Sequence, residues 1–123
     1  MSYLTERFES AVLTLVGDGP VKQRLVDAFS DNLDDLEDTE LPERLRSPFQ
    51  DLRRALHRVA PLGAEPCVTA TVRKMSVQEA DQYASRIVRI YRGLVQDGGP
   101  QERLSIVNGG GSKLPRFLAE QSG

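Results

Sequence analysis

The sequence has no tryptophan, one cysteine (Cys67) and one histidine (His57). A single cysteine cannot form an intramolecular disulfide, so a disulfide-stapled secreted scaffold is excluded. One cysteine and one histidine also fall short of the ligand set of a structural zinc site. No apolar run approaches the ~20 residues that span a bilayer, and no basic stretch followed by an apolar one marks a secretory signal. The expected setting is the cytoplasm, with no membrane contact. Glu-x-x-His steps, which a di-iron bundle would need, are absent. Gly109-Gly110-Gly111-Ser112-Lys113 lacks the spacing and flanking elements of a phosphate-binding loop. The acidic run from Asp31 to Glu40 lacks the glycine turn of an EF-hand. Cys67 and His57 would be the sole thiol and imidazole for nucleophilic catalysis, and no motif joins them. The sequence therefore predicts no catalytic residue, no cofactor and no metal site.

What is present suits one helical domain. The 123 residues are 39% hydrophobic, enough for a core without staples. Leu4, Phe8, Ala11, Val12 and Leu15 recur at helical spacing and predict a first helix from Tyr3 to Val16. Gly17-Asp18-Gly19-Pro20 then reads as a stop followed by a start, with Gly17 as a left-handed cap and Pro20 as a first helical residue. So short a link predicts that the second helix runs back along the first. That helix is expected over Pro20–Glu37, with Val21, Leu25, Phe29, Leu33 and Leu36 inward. Residues 37–42 read as a loop.

The third stripe is Leu45, Phe49, Leu52, Leu56 and Val59, within Pro42–Val59. Pro48 interrupts it, and the preferred reading makes residues 42–46 a separate turn, with the helix capped by Ser47 and started by Pro48. Residues 66–74 fit a short helix with Pro66 at its first position, with a strand paired to Leu104–Val107 or an extended crossing as the other options. Ser76-Val77-Gln78-Glu79 is a capping box opening a long helix, whose inward set is Ala80, Tyr83, Ala84, Ile87, Tyr91 and Leu94. Asp97-Gly98-Gly99-Pro100 ends it. The predicted fold is an all-α antiparallel bundle of four helices, or five with the short 66–74 helix, occupying residues 1–99. Residues 100–123 read as a flexible tail, in which Leu114, Phe117 and Leu118 are apolar and Lys113 and Arg116 basic.

Charge is uneven. Residues 1–41 hold ten acids and three bases, a net of −7, and the rest of the chain is +5. Asp27, Asp31, Asp34 and Asp38 fall on one stripe of the predicted second helix, where each like-charged pair costs roughly 0.2–0.5 kcal/mol. A stripe so poorly compensated, near a helix C-terminus that disfavours anions, is a candidate docking strip for a basic protein or a second copy of the chain. Arginine outnumbers lysine thirteen to three. Arg86, Arg89 and Arg92 spread over the outer face of the last helix, and Arg46, Gln50, Arg53 and His57 share a flank of the third. Grouped arginines could neutralise phosphates, which makes nucleic acid a second partner class, although the sequence pI is 5.4 and no helix-turn-helix spacing is present. Leu114, Phe117 and Leu118 are candidate anchors for a partner.

The stretch Leu52-Arg53-Arg54-Ala55-Leu56-His57-Arg58-Val59 resembles the histidine-bearing helix of histidine phosphotransfer domains. That resemblance implies a four-helix fold and a phospho-accepting role for His57. The family's lysine and glycine positions hold Ala60 and Pro61 here, so His57 is expected not to carry phosphate. Three functions are thus carried forward: a small regulatory protein acting through protein contacts, a nucleic-acid-associated accessory protein, and a degenerate phosphotransfer-like domain.

Overall fold

A computed structural model describes residues 3–61 and 63–98. Among them are five α-helices and no strand: α1 (Tyr3–Leu15), α2 (Val21–Asn32), α3 (Glu43–Leu56), α4 (Cys67–Arg73) and α5 (Val77–Gly98), with a 3₁₀ turn at Asp38–Glu40. The all-helical expectation holds, and 66–74 is the short helix rather than a strand. The tail residues fall outside the described part of the chain. The chain divides after Gly93, and the packing below belongs to the part before that division.

α1 and α2 lie against each other with opposite direction. Arg7 near the start of α1 donates from Nε to the Asn32 carbonyl at the end of α2, at 2.7 Å. Arg24 near the start of α2 donates to the Gly19 carbonyl at 2.8 Å and to that of Leu15, the last residue of α1. Each helix thus supplies a cation to the partly negative C-terminal end of the other, where orphan carbonyls await donors. Burial holds Arg7 against its cation, but its hydrogen bond and charge attraction to Asp35 outweigh this and raise the guanidinium above its ordinary value.

The core is built from the stripes expected. Phe8, Ala11 and Leu15 of α1 meet Leu25, Ala28 and Phe29 of α2, and Leu33, Leu36 and Leu41 close the layer beyond α2. Leu45, Phe49, Leu52 and Leu56 bury one face of α3, Val68, Ala70, Thr71 and Val72 most of α4, and Ala80, Ile87 and Ile90 that of α5. In α5 Ile90 is buried and Tyr91 only half-buried, a shift of one residue from the expected stripe. The capping box forms: the Ser76 N–H donates to Glu79 Oε1 at 3.2 Å, and the Glu79 N–H to Ser76 Oγ at 3.0 Å. Buried Thr71 accepts the Val59 N–H at 3.1 Å, pinning the chain as it leaves α3. Arg73 grips Glu65 with two bonds, at 2.7 and 3.0 Å, and the hydrogen bond holds the Glu65 carboxyl below its usual value.

Four local expectations are corrected. Pro20, Pro42 and Pro66 are all N-cap residues, with φ of −63°, −55° and −66° and extended ψ. Proline's fixed φ suits that position, and its carbonyl accepts the first bond of the helix, as from the Arg24 N–H to Pro20 at 3.0 Å. Gly17 is not the left-handed residue of the first link; Gly19 is, at φ 101°. The third helix is not split at Ser47. Pro48 lies inside a continuous α3, where it withholds one helical N–H. Its exposed position leaves the bond loss at the surface, and only an unbroken helix keeps Leu45 in register with Phe49, Leu52 and Leu56. Lastly, α2 ends at Asn32, not Glu37.

Gly93 marks where α3 and α5 approach. A Cβ there would lie 2.9 Å from Leu45 Cδ2, and the Gly93 carbonyl accepts from Arg44 Nη2 at 3.1 Å. Gly93→Val should destabilise the protein by about 1–3 kcal/mol, the usual cost of overpacking. Thermal melting by circular dichroism checks this, and an unchanged midpoint would mean that the two helices are less closely packed.

Candidate functional site

The end of α2 decides the fate of the acidic stripe. Asn32 is followed by a turn whose carbonyls are taken by a side chain from α3. Arg53 Nη2 lies 3.0 Å from the Asp34 carbonyl and 3.5 Å from that of Leu33, and donates also to that of Leu36. The Leu33 and Asp34 N–H groups both return to the Phe29 carbonyl at 2.9 Å, which closes the helical ladder, and Arg53 fills carbonyls of the turn that follows. Asp27, Asp31, Asp34 and Asp38 therefore do not share one helix. Asp27 and Asp31 remain on α2, Asp34 sits in the turn and Asp38 opens the 3₁₀ turn.

Three of the four also have partners. Asp27 accepts from Gln23 Nε2 at 2.9 Å, Asp34 Oδ1 lies 3.1 Å from His57 Nε2, and Asp38 accepts from Gln50 Nε2. Asp31 is exposed and has no hydrogen bond or ion pair among the described residues. The continuous docking strip expected from the sequence is therefore not formed. Its premise, a helix reaching Glu37, fails because α2 closes onto the Phe29 carbonyl and ends five residues early, at Asn32.

His57 caps α3. Its Nδ1 is 2.8 Å from the Arg53 carbonyl, its Nε2 faces Asp34, and its ring stands edge-on to Phe29 at 5.9 Å between centroids. A phosphoryl group approaching Nε2 would meet the Asp34 carboxylate, whose like charge opposes it. Cys67 is a half-buried free thiol at the first position of α4. Among the described residues no three His, Cys, Asp or Glu side chains are grouped to hold a metal ion, and no helix is long and apolar enough to cross a membrane.

The arginines separate into two sets. Arg7, Arg24, Arg44, Arg46 and Arg53 each donate to backbone carbonyls of another segment. Arg54 pairs with Asp51 at 3.3 Å, Arg58 with Glu79 at 3.7 Å and Arg73 with Glu65. Arg46 and Arg53, which the sequence grouped as phosphate ligands, are thus occupied by the chain's own carbonyls. Arg86, Arg89 and Arg92 differ. All three are exposed on α5 and have no hydrogen bond or ion pair among the described residues. Arg86 lies over the Tyr83 ring at 5.1 Å, which fixes its direction without neutralising it.

Arg86 and Arg89 border an open groove of about 430 Å³ between α3 and α5. Leu45 and Ile90 are its floor, and Ser47, Pro48 and Asp51 form the α3 side. The sequence reading nominated the arginines but missed the groove. Its signal was the pairing of Ser47 and Pro48, short exposed side chains on α3. Leu114, Phe117 and Leu118, the other candidate contacts, lie outside the described residues.

Compared with known protein families, curated proteins and solved structures, the chain matches none.

Proposed function

We propose that this protein is a small regulatory binding module that acts through protein–protein contacts, with its helices arranged as an antiparallel bundle that presents the arginine face of α5. The observation that carries this reading is the division among the arginines. Those elsewhere in the described fold are held by backbone carbonyls or carboxylates, whereas Arg86, Arg89 and Arg92 have neither. Cations with no internal counterpart, beside an apolar groove, suit a surface whose complement lies on another molecule. A cytoplasmic setting fits the free thiol of Cys67.

A nucleic-acid partner is the second reading, favoured by the same three arginines recurring at successive turns. Asp51 on the groove's edge and the apolar floor fit a phosphate backbone less well than they fit a polypeptide. Phosphotransfer through His57 is not carried forward, because the Asp34 carboxylate guards the nitrogen it would use.

Photocrosslinking in the native cell tests the first reading. With a benzophenone side chain in place of Val88, exposed on α5, the protein should capture a discrete protein that survives nuclease. The combined substitution Arg86→Ala, Arg89→Ala and Arg92→Ala should abolish that capture. Nuclease-sensitive capture would replace this reading with the second, and capture indifferent to the arginines would remove both.

A further inference from the structure

The groove's chemistry narrows the kind of partner, an inference that rests on the protein-binding reading above. Its floor, Leu45 and Ile90, is aliphatic and offers no hydrogen-bonding side chain. Pro48 adds an apolar edge and lacks a backbone donor. The polar groups stand at the rim and are unequal in sign. Arg86 and Arg89 have no carboxylate partner among the described residues, whereas Asp51 on the opposite side is already paired with Arg54 at 3.3 Å. The rim therefore presents positive charge to whatever enters.

The two guanidiniums lie three residues apart on one helix, so both border the same stretch of groove. Carboxylates are the natural complement, since arginine's planar fork accepts them with two parallel bonds. A volume of about 430 Å³ is small for a folded element but sufficient for apolar side chains projecting from a peptide. Positive rim and aliphatic floor together describe a helix-in-groove or extended-peptide site for a mixed acidic and apolar segment.

We infer that the α3–α5 groove binds an acidic segment of a partner protein, seating its apolar side chains on Leu45, Pro48 and Ile90 and its carboxylates on Arg86 and Arg89. Arg92 is not part of the lining and contributes only long-range attraction. Ser47, exposed in the groove wall, is the position at which added negative charge should repel the ligand directly.

Fluorescence anisotropy with the full chain tests this. The probe is a short fluorescein-labelled synthetic peptide of glutamates with leucines at helical spacing. Comparison ligands are the same peptide with serine for leucine, the same peptide with lysine for glutamate, and a DNA duplex. The leucine–glutamate peptide should bind most tightly. The combined substitution Arg86→Ala and Arg89→Ala should weaken it at least about tenfold, as should Ser47→Glu, whereas Arg92→Ala should change it little. These positions are exposed, and unchanged melting would verify that each variant is folded.

Equal binding of the serine peptide would overturn the groove assignment, since it would leave the aliphatic floor without a role. Preference for the DNA duplex, or for the lysine peptide, would overturn the acidic-segment assignment. Salt-sensitive self-association abolished by the same substitutions would make the occupant a second copy and overturn it equally. Failure of every peptide while the α5 crosslink still captures a protein would end this inference and leave the protein-binding reading standing.

Discussion

Replacing Phe49 by alanine is expected to lower the unfolding free energy by ~3–5 kcal/mol. The phenyl ring is fully buried in the middle of α3's inner stripe. It meets Phe8 of α1 edge-to-face, with centroids 5.9 Å apart and planes at 67°. Its other side carries the Arg53 guanidinium, whose central carbon lies 5.1 Å from the ring centroid. Truncation therefore opens a cavity, removes an aromatic pair worth ~0.5–1.5 kcal/mol beyond its area, and takes away the platform on which Arg53 rests. Domains of this size have about 5–15 kcal/mol in total, so the variant should be partly unfolded at physiological temperature. Urea unfolding followed by far-ultraviolet circular dichroism measures the loss. A loss under about 1 kcal/mol would place Phe49 outside the core, since only surface-like positions tolerate truncation so well.

Arg53→Ala should cost ~2–4 kcal/mol, an unusual amount for a partly exposed arginine. Its Nη2 is the shared donor for the carbonyls of Leu33, Asp34 and Leu36, and its Nε is buried without a partner. No backbone donor replaces it in that turn for Asp34 or Leu36 among the described residues. Arg53→Met separates the two contributions, because methionine keeps an apolar stem over Phe49 and loses the donors. The methionine variant should recover less than half of the loss. Full recovery would show that the stem's packing, not the carbonyl contacts, holds the turn.

Much of the fold was legible because apolar spacing is a local property. The stripes of α1 and α3, the Ser76–Glu79 capping box and the short helix after Pro66 all follow from residues within a turn or two of one another. The end of α2 was not legible for the opposite reason. Leu33 and Leu36 continue the helical spacing of Leu25 and Phe29, and they are buried as that spacing implies. Yet the backbone leaves the helix at Asn32, its next two N–H groups both returning to Phe29, and Arg7 and Arg53, distant in sequence, hold carbonyls at that end. Pro48 misled in the other direction: a local rule breaks the helix, whereas the burial of Leu45 and Phe49 on one face keeps it whole.

The candidate site divides along the same line. Arg86, Arg89 and Arg92 were identifiable as an exposed cluster from helical geometry alone. That they lack counterparts among the described residues while other arginines there are engaged is a tertiary fact, as is the groove beside Arg86 and Arg89. The aspartate stripe rested on a helix boundary set by contacts that no local pattern records.

The central claim is that Arg86, Arg89 and Arg92, which no carbonyl or carboxylate of the described residues engages, serve a partner and not the stability of the fold. The most direct measurement is the unfolding free energy of the combined Arg86→Ala, Arg89→Ala and Arg92→Ala variant at low ionic strength. Removing like charges three residues apart relieves mutual repulsion, and alanine is the better helix former. The variant should therefore be as stable as the wild-type chain or slightly more so, with any gain shrinking as salt is added. A loss approaching that of Arg53→Ala would show that these arginines hold the fold together, and would contradict the account.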